Sequence, residues 1–392
     1  MLSLLTSLAS CDTWAVIFCG SRDFYNYRHT ADSYYMYHLI AEVNNLDKDK
    51  LILMCYDDIV NDAENPFKGQ IFRSLDHLNV YPGRANVKYT AGKVTATNFY
   101  KVLTGDNSQG PALQSTANDN VMIFFDNHGG DGILGVPDGC GDYIYANDLK
   151  QALQTMHDKG MYKNCFFPIT ACYAGSVAKV VAGVPKLYMM TAANDHESSY
   201  ADIWDDSLGE YLTSEFSAVS QLYWQAHPTC TIGDSFEPIK NGVKQSHVME
   251  YGDTSLKTLP VSLFLGTPNK VSENVVAPLS RGVLHAKETE AKLSSLSMKK
   301  NNVKAILFAE LEKASTKKME ALIDSLTKEF KPLPANGAVD IKDWDNYKAV
   351  LRHLQKSVSH LGESFYAQTF FFANLANQVK AEEIIKAINK HL

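Results

Sequence analysis

Hydrophobic residues in the first two thirds of the chain come in short unbroken runs. They read WAVIFC at 14–19, LILMCY at 51–56, VMIFF at 121–125, CFFPI at 165–169 and LYMMT at 187–191. A run that is apolar at every position is buried on both faces, as in a parallel sheet covered by helices. Between the runs, apolar residues recur at helical spacing. Residues 30–44 follow the first run, 95–103 (TATNFYKVL, capped by Thr95) precede the third, and 146–157 precede the fourth. Strands alternating with helices predict an α/β sandwich with a mainly parallel sheet over residues 11–266.

The texture changes after Gly266. Pro268, Asn269, Asn274 and Pro278 mark 267–300 as an exposed linker. Beyond it no strand-length run occurs. Val303, Ile306, Leu307 and Leu311 form one helical face, which Leu322, Ile323 and Leu326 continue. KPLP at 331–334 breaks that helix, and 345–354, 365–375 and 381–388 carry further helical patterns. Residues 301–392 therefore read as an all-α unit.

Charge divides at the same place. Residues 1–280 carry 31 acidic against 19 basic residues, a net of -12, and residues 281–392 carry 13 against 18, a net of +5. These are either two separately solvated surfaces or a basic unit docked on an acidic body. No apolar run reaches the length of a membrane span. No dense Lys/Arg stripe points to nucleic acid. The uncharged start MLSLLTSLAS, with Ser7-Leu8-Ala9 as a small-x-small site, reads as a secretory signal over residues 1–10. Of seven cysteines, Cys19, Cys55 and Cys165 lie in apolar runs and read as buried hydrophobes. Cys11, Cys140 and Cys230 are candidates to pair or to stay free. No CxxC pair or His/Cys cluster has zinc spacing, so no metal or other cofactor is expected.

Reactive groups of parallel sheets gather beyond the carboxyl ends of the strands. The third run ends in Asp126-Asn127-His128-Gly129-Gly130 and the fourth in Thr170-Ala171-Cys172-Tyr173-Ala174-Gly175. If those strands are neighbours, the imidazole of His128 faces the thiol of Cys172, and a thiol beside an imidazole can become the reactive thiolate. Glycines after the base let a substrate backbone approach and leave amides for an oxyanion, with Gly129 and Cys172 as donors. The first run leads into Tyr25-Asn26-Tyr27-Arg28-His29. Asn26 is a candidate to orient the imidazole, and Arg28 places a donor fork at the same mouth. Ser198 and Ser199 follow the fifth run as pocket lining or a helix cap.

Together these segments resemble the legumains, the asparaginyl endopeptidases among the clan-CD cysteine peptidases. The resemblance rests on YNYRHTAD (25–32), MCYDDI (54–59), NHGGDGILGVP (127–137), ACYAGS (171–176), ESSYA (197–201) and SHVMEYG (246–252). It implies a caspase-like fold with a sheet of about six strands, Cys172 as nucleophile, His128 as base and Asn26 as orienting residue. It assigns Arg28, His29, Ser198 and Ser199 to the pocket for the P1 side chain. The aspartate that completes that pocket is matched here by Glu210, with Asp202, Asp205 and Asp206 as alternatives. An asparagine carboxamide suits such a pocket, since its oxygen accepts from Arg28 and its nitrogen donates to a carboxylate. An aspartate at P1 is then cut only at acid pH.

The resemblance further implies a zymogen in which 301–392 is an inhibitory prodomain, released at acid pH by cuts at Asn269, Asn274, Asn301 or Asn302. The implied partners are peptide or protein substrates, that prodomain and cystatin-type inhibitors, in the secretory pathway, a lysosome-like compartment or outside the cell. The chain departs from the pattern at Thr170 and Asn127, where legumains commonly carry acids, at Glu210, and in a tail without cysteine. Peptide ligation is the alternative fate of the thioester. The catalytic subunit of the GPI transamidase shares the His-Gly and Cys blocks, and an inactive binding module is the non-enzyme alternative.

Overall fold

The computed structural model describes residues 11–268, 303–335, 339–358 and 361–392. The expected signal segment and Asn269, Asn274, Asn301 and Asn302 lie outside the described residues. The strands are β1 (Thr13–Cys19), β2 (Leu51–Met54), β3 (Val87–Tyr89), β4 (Asn120–Asp126), β5 (Gly129–Gly130), β6 (Ile133–Leu134), β7 (Ile144–Tyr145), β8 (Asn164–Thr170), β9 (Leu187–Thr191), β10 (Ala201–Asp205), β11 (Glu210–Ser214) and β12 (Met249–Gly252). One seven-stranded sheet runs in the order β12-β9-β8-β4-β1-β2-β3. Its strands are parallel except β12, which pairs antiparallel to β9.

The five apolar runs are five of these strands. The sheet has one strand more than the expected count of about six, and its two edge strands, β3 and β12, are the ones that no apolar run marks. Within a continuous run the side chains still alternate. Ala15, Ile17 and Cys19 face one core, and Val16 and Phe18 face the other. The first core is closed by α1 (Tyr27–His38, prolonged by a π-helical turn at Leu39–Val43), and the second by α2 (Ala96–Leu103), α3 (Ala146–Asp158) and α4 (Ala174–Val181). The Thr95 side chain accepts from the Asn98 amide at 3.0 Å and starts α2, as its position predicts. Helices α5 (Glu215–Ala226), α6 (Ile232–Gly242) and α7 (Ser262–Leu265) complete the first core.

The tail holds α8 (Val303–Phe330), α9 (Trp344–Ser357), α10 (Glu363–Ala376) and α11 (Ala381–His391). Its core includes body residues. Ile133, Tyr143 and Tyr145 bury with Leu326, Tyr347, Leu351, Phe365 and Phe372 in one cluster. At the rim Lys348 pairs with Asp148 at 2.5 Å and Arg352 with Asp142 at 2.5 Å. The basic unit is thus docked on the acidic body. Among the described residues no helix is long and apolar enough to cross a membrane.

Candidate active site

Strand register brings the two reactive segments together. In the parallel ladder Cys19 lies opposite Asp126, and Asp126 opposite Thr170. Two residues beyond that level come His128 and Cys172. The fit is tight, because a Cβ on Gly129 would stand 2.4 Å from the Cys172 carbonyl oxygen, which leaves only glycine acceptable there. Tyr173 then takes the left-handed conformation (φ 55°) and turns the chain into α4.

Each reactive side chain has a partner. The Cys172 sulfur accepts from the Ser199 amide at 3.3 Å and lies 3.5 Å from the Ser199 carbonyl. His128 Nε2 lies 2.8 Å from the Asn26 side-chain oxygen, and Asn26 Nδ2 donates to the Arg22 carbonyl at 2.9 Å. With the amide so fixed, Nε2 carries the proton and Nδ1 is the acceptor. Burial pushes the Cys172 thiol up, and the Glu363 charge adds to that. Burial, with Arg28, lowers His128, which Glu363 opposes. The pair therefore rests as neutral thiol and neutral imidazole.

Glu363 opens α10 and enters this site from the tail. One of its oxygens lies 3.2 Å from Arg28 Nη2 and 3.1 Å from His128 Nε2. Burial opposes its charge, yet His128 and Arg28 hold its carboxyl below the usual glutamate range. The ring of Tyr366 lies 5.5 Å from that of His128, and Thr369 Oγ1 accepts from the Asp131 amide at 2.8 Å. A cavity of about 230 Å³ remains beside His128 between body and tail, lined in part by Asn26, Arg22, Glu312 and Glu363.

The chain matches the Peptidase C13 family over residues 13–267. The chain belongs to the peptidase C13 family. Legumain of Mus musculus is 34% identical over 277 residues, 68% of this chain and 62% of that protein. The vacuolar-processing enzyme of Vicia sativa is 32% identical over 282 residues, 67% and 56% of the two chains. The hemoglobinase of Schistosoma mansoni is 33% identical over 275 residues, 68% and 62%. The match thus spans about three fifths of the length of these curated relatives.

In this C13 chain the remaining candidates sit at different depths. His29 is buried behind His128, its ring edge-on to that of His128 at 4.9 Å and its Nδ1 2.6 Å from Asp126. Burial drives that pair toward its neutral forms, raising Asp126 and lowering His29. Ser198 and Ser199 both reach the sulfur. Of the four carboxylates considered for the pocket, Glu210 is the one that feels Arg28. Asp205 pairs with His77, Asp206 accepts from the Trp204 indole, and Asp202 turns to its own strand at Ile203. Burial pushes Glu210 well above the usual glutamate range. Thr170 hydrogen-bonds Ser217 at 2.8 Å, and Ser217 donates to Asp126 at 2.8 Å, so a neutral hydroxyl chain occupies the position where this chain departs from the family pattern.

Glu363 was not foreseen from the sequence. It lies 335 residues from Arg28, and its only signal is its place at the start of a helix in a unit expected to dock.

Proposed function

We propose that this chain is a cysteine endopeptidase that cuts after asparagine, held inactive by residues 301–392. The observation that carries the reading is Cys172 beside His128 at adjoining strand ends, with Asn26 on the imidazole and Glu363 lodged against both His128 and Arg28. The names of the relatives, a legumain and a vacuolar-processing enzyme among them, support an acid compartment of the secretory route.

In the active form Arg28 donates to the oxygen of the P1 carboxamide, and Glu210 accepts from its nitrogen. His128 Nδ1 takes the Cys172 proton, and the sulfur attacks the next carbonyl carbon. The amides of Gly129 and Cys172 hold the oxyanion. His128 returns the proton to the leaving amine, and water then cleaves the thioester. Asn26 keeps the ring oriented throughout.

The docked tail blocks this sequence twice. Glu363 occupies the Arg28 fork that seats the substrate, and it ties His128 Nε2. Cuts at Asn269, Asn274, Asn301 or Asn302 separate the two units. The test is hydrolysis of a fluorogenic Ala-Ala-Asn peptide after acid incubation. Turnover is expected from the natural chain and none from Cys172→Ala. Equal rates from both proteins, or no preference for Asn over Gln at P1, would sink the proposal.

A further inference from the structure

The sheet also places two thiols side by side under the segment that carries the site. β1 and β2 are parallel neighbours, with Phe18 opposite Met54, so Cys19 and Cys55 are the next residues on adjacent strands. Both are fully buried and face the same core. Both sulfurs reach one hydroxyl, with Thr30 Oγ1 3.6 Å from Cys19 and 3.9 Å from Cys55. Burial raises Cys19, but the donors around it outweigh this and leave it at about 7. Core filler needs none of this polar arrangement.

We propose that Cys19 and Cys55 are a redox-active dithiol that closes to a disulfide and thereby loosens the catalytic segment. Neighbouring strands bring Cα atoms to about 5 Å, within the span a disulfide accepts. The oxidant is a small disulfide such as oxidised glutathione. Both sulfurs are buried, so exchange goes through local opening of this strand pair. The Cys19 thiolate so exposed attacks one sulfur of the oxidant, the glutathione S–S bond breaks, and one glutathione leaves as thiolate and takes up a proton. Cys55 then loses its proton and attacks the Cys19 sulfur, releasing the second glutathione. The protein gives up two electrons and two protons, and the oxidant becomes two thiols.

The link draws the sulfurs together and deprives Thr30 of its thiol neighbours. Thr30 lies on the first turn of α1, directly after Arg28 and His29 and four residues after Asn26, so the pocket fork and the imidazole clamp move with it. Gly20 follows Cys19 with no slack, since a Cβ there would meet the Gly135 carbonyl at 2.5 Å.

The chemistry is tested apart from activity. The full chain carrying Cys11→Ala and Cys172→Ala is equilibrated in glutathione buffers, alkylated and mapped without reduction. A Cys19–Cys55 linked peptide, with the loss of two titratable thiols, is expected. Its absence at every buffer ratio overturns the proposal. The effect is read on the acid-processed natural enzyme, in buffers where reduced glutathione is in excess and a lone thiol such as Cys172 stays mostly free. Oxidation is expected to lower kcat/KM for the Asn peptide at least about fivefold, with recovery in dithiothreitol and no redox response in Cys55→Ala. A linked enzyme with unchanged kcat/KM refutes the coupling. A chain inactive on every peptide refutes the peptidase reading, while the thiol map still decides the dithiol.

Discussion

Replacing Glu363 by glutamine keeps the shape of the side chain and removes its charge. Two contacts then change, the one at 3.2 Å to Arg28 and the one at 3.1 Å to His128. Hydrogen bonds to charged groups contribute about 1.5–3 kcal/mol each. The Glu363 side chain is 36% exposed, so solvent screens part of this, and glutamine still accepts from Arg28. About 1–2 kcal/mol is left, which is roughly a factor of 5–30 in the ratio of undocked to docked tail. Core contacts and rim ion pairs set how rare the open form is, but they cancel when two otherwise identical chains are compared. The assay is alkylation of Cys172 in the uncut chain at pH 7, followed on the peptide that carries it. Labelling reports the open population when docking is fast. Glu363→Gln is expected to label faster by about that factor. A rate within twofold of the natural chain would mean that Glu363 merely lies near the site.

Docking also depends on pH through two groups. Glu363 is depressed by the partners it gains on docking, so its support is present above its ordinary value and fades as pH falls below about 4.3. Asp131, buried under the tail and raised to about 7 by burial and by Asp195, does the reverse and loses its support as pH rises toward 7. Labelling of Cys172, divided by that of the cut enzyme at the same pH because the thiolate fraction itself falls with pH, should therefore slow from about pH 7 to 5 and climb steeply below about pH 4.3. Asp131→Asn, neutral at every pH, should slow labelling roughly tenfold at pH 7 and leave it unaltered at pH 4. Arg28→Lys keeps the charge but loses the planar fork, so KM for the Asn peptide should rise about tenfold with a smaller change in kcat, and equal KM values would refute its role in seating P1. Gly129→Ala pushes a methyl against backbone rather than a movable side chain, at a cost on the order of 1–3 kcal/mol. A lower melting temperature together with lost turnover is expected, and an unchanged melt would refute the contact.

The parts of this molecule that were legible in its sequence are those fixed by local pattern. Runs apolar at every position gave the buried strands β1, β2, β4, β8 and β9, because burial on both faces leaves no room for a polar residue. The segments just beyond β4 and β8 stood out for the same reason, and His128 and Cys172 lie in them. β3 buries Val87 and Tyr89 but is too short, at three residues, to stand out as a run, and β12, half-exposed throughout, carries no such signal. The Asp126–His29 pair was equally hidden. Asp126 closes an apolar strand and His29 sits on a helix, and only the fold makes them neighbours.

Net charge governs the rim of the docking surface and not its centre. Net charge predicts a basic tail on an acidic body, and the rim obeys, with Lys348 on Asp148 and Arg352 on Asp142. At the centre the signs reverse, and an acid of the tail meets Arg28 and His128. On the proposed reading the cleft holds a carboxamide and an oxyanion and is therefore rich in donors, so whatever plugs it must bring an acceptor. That requirement makes tail and substrate compete for one guanidinium. Saturating peptide should then drive the tail off without any cut, while the cut makes the release permanent, because the tail's effective concentration is lost with its tether.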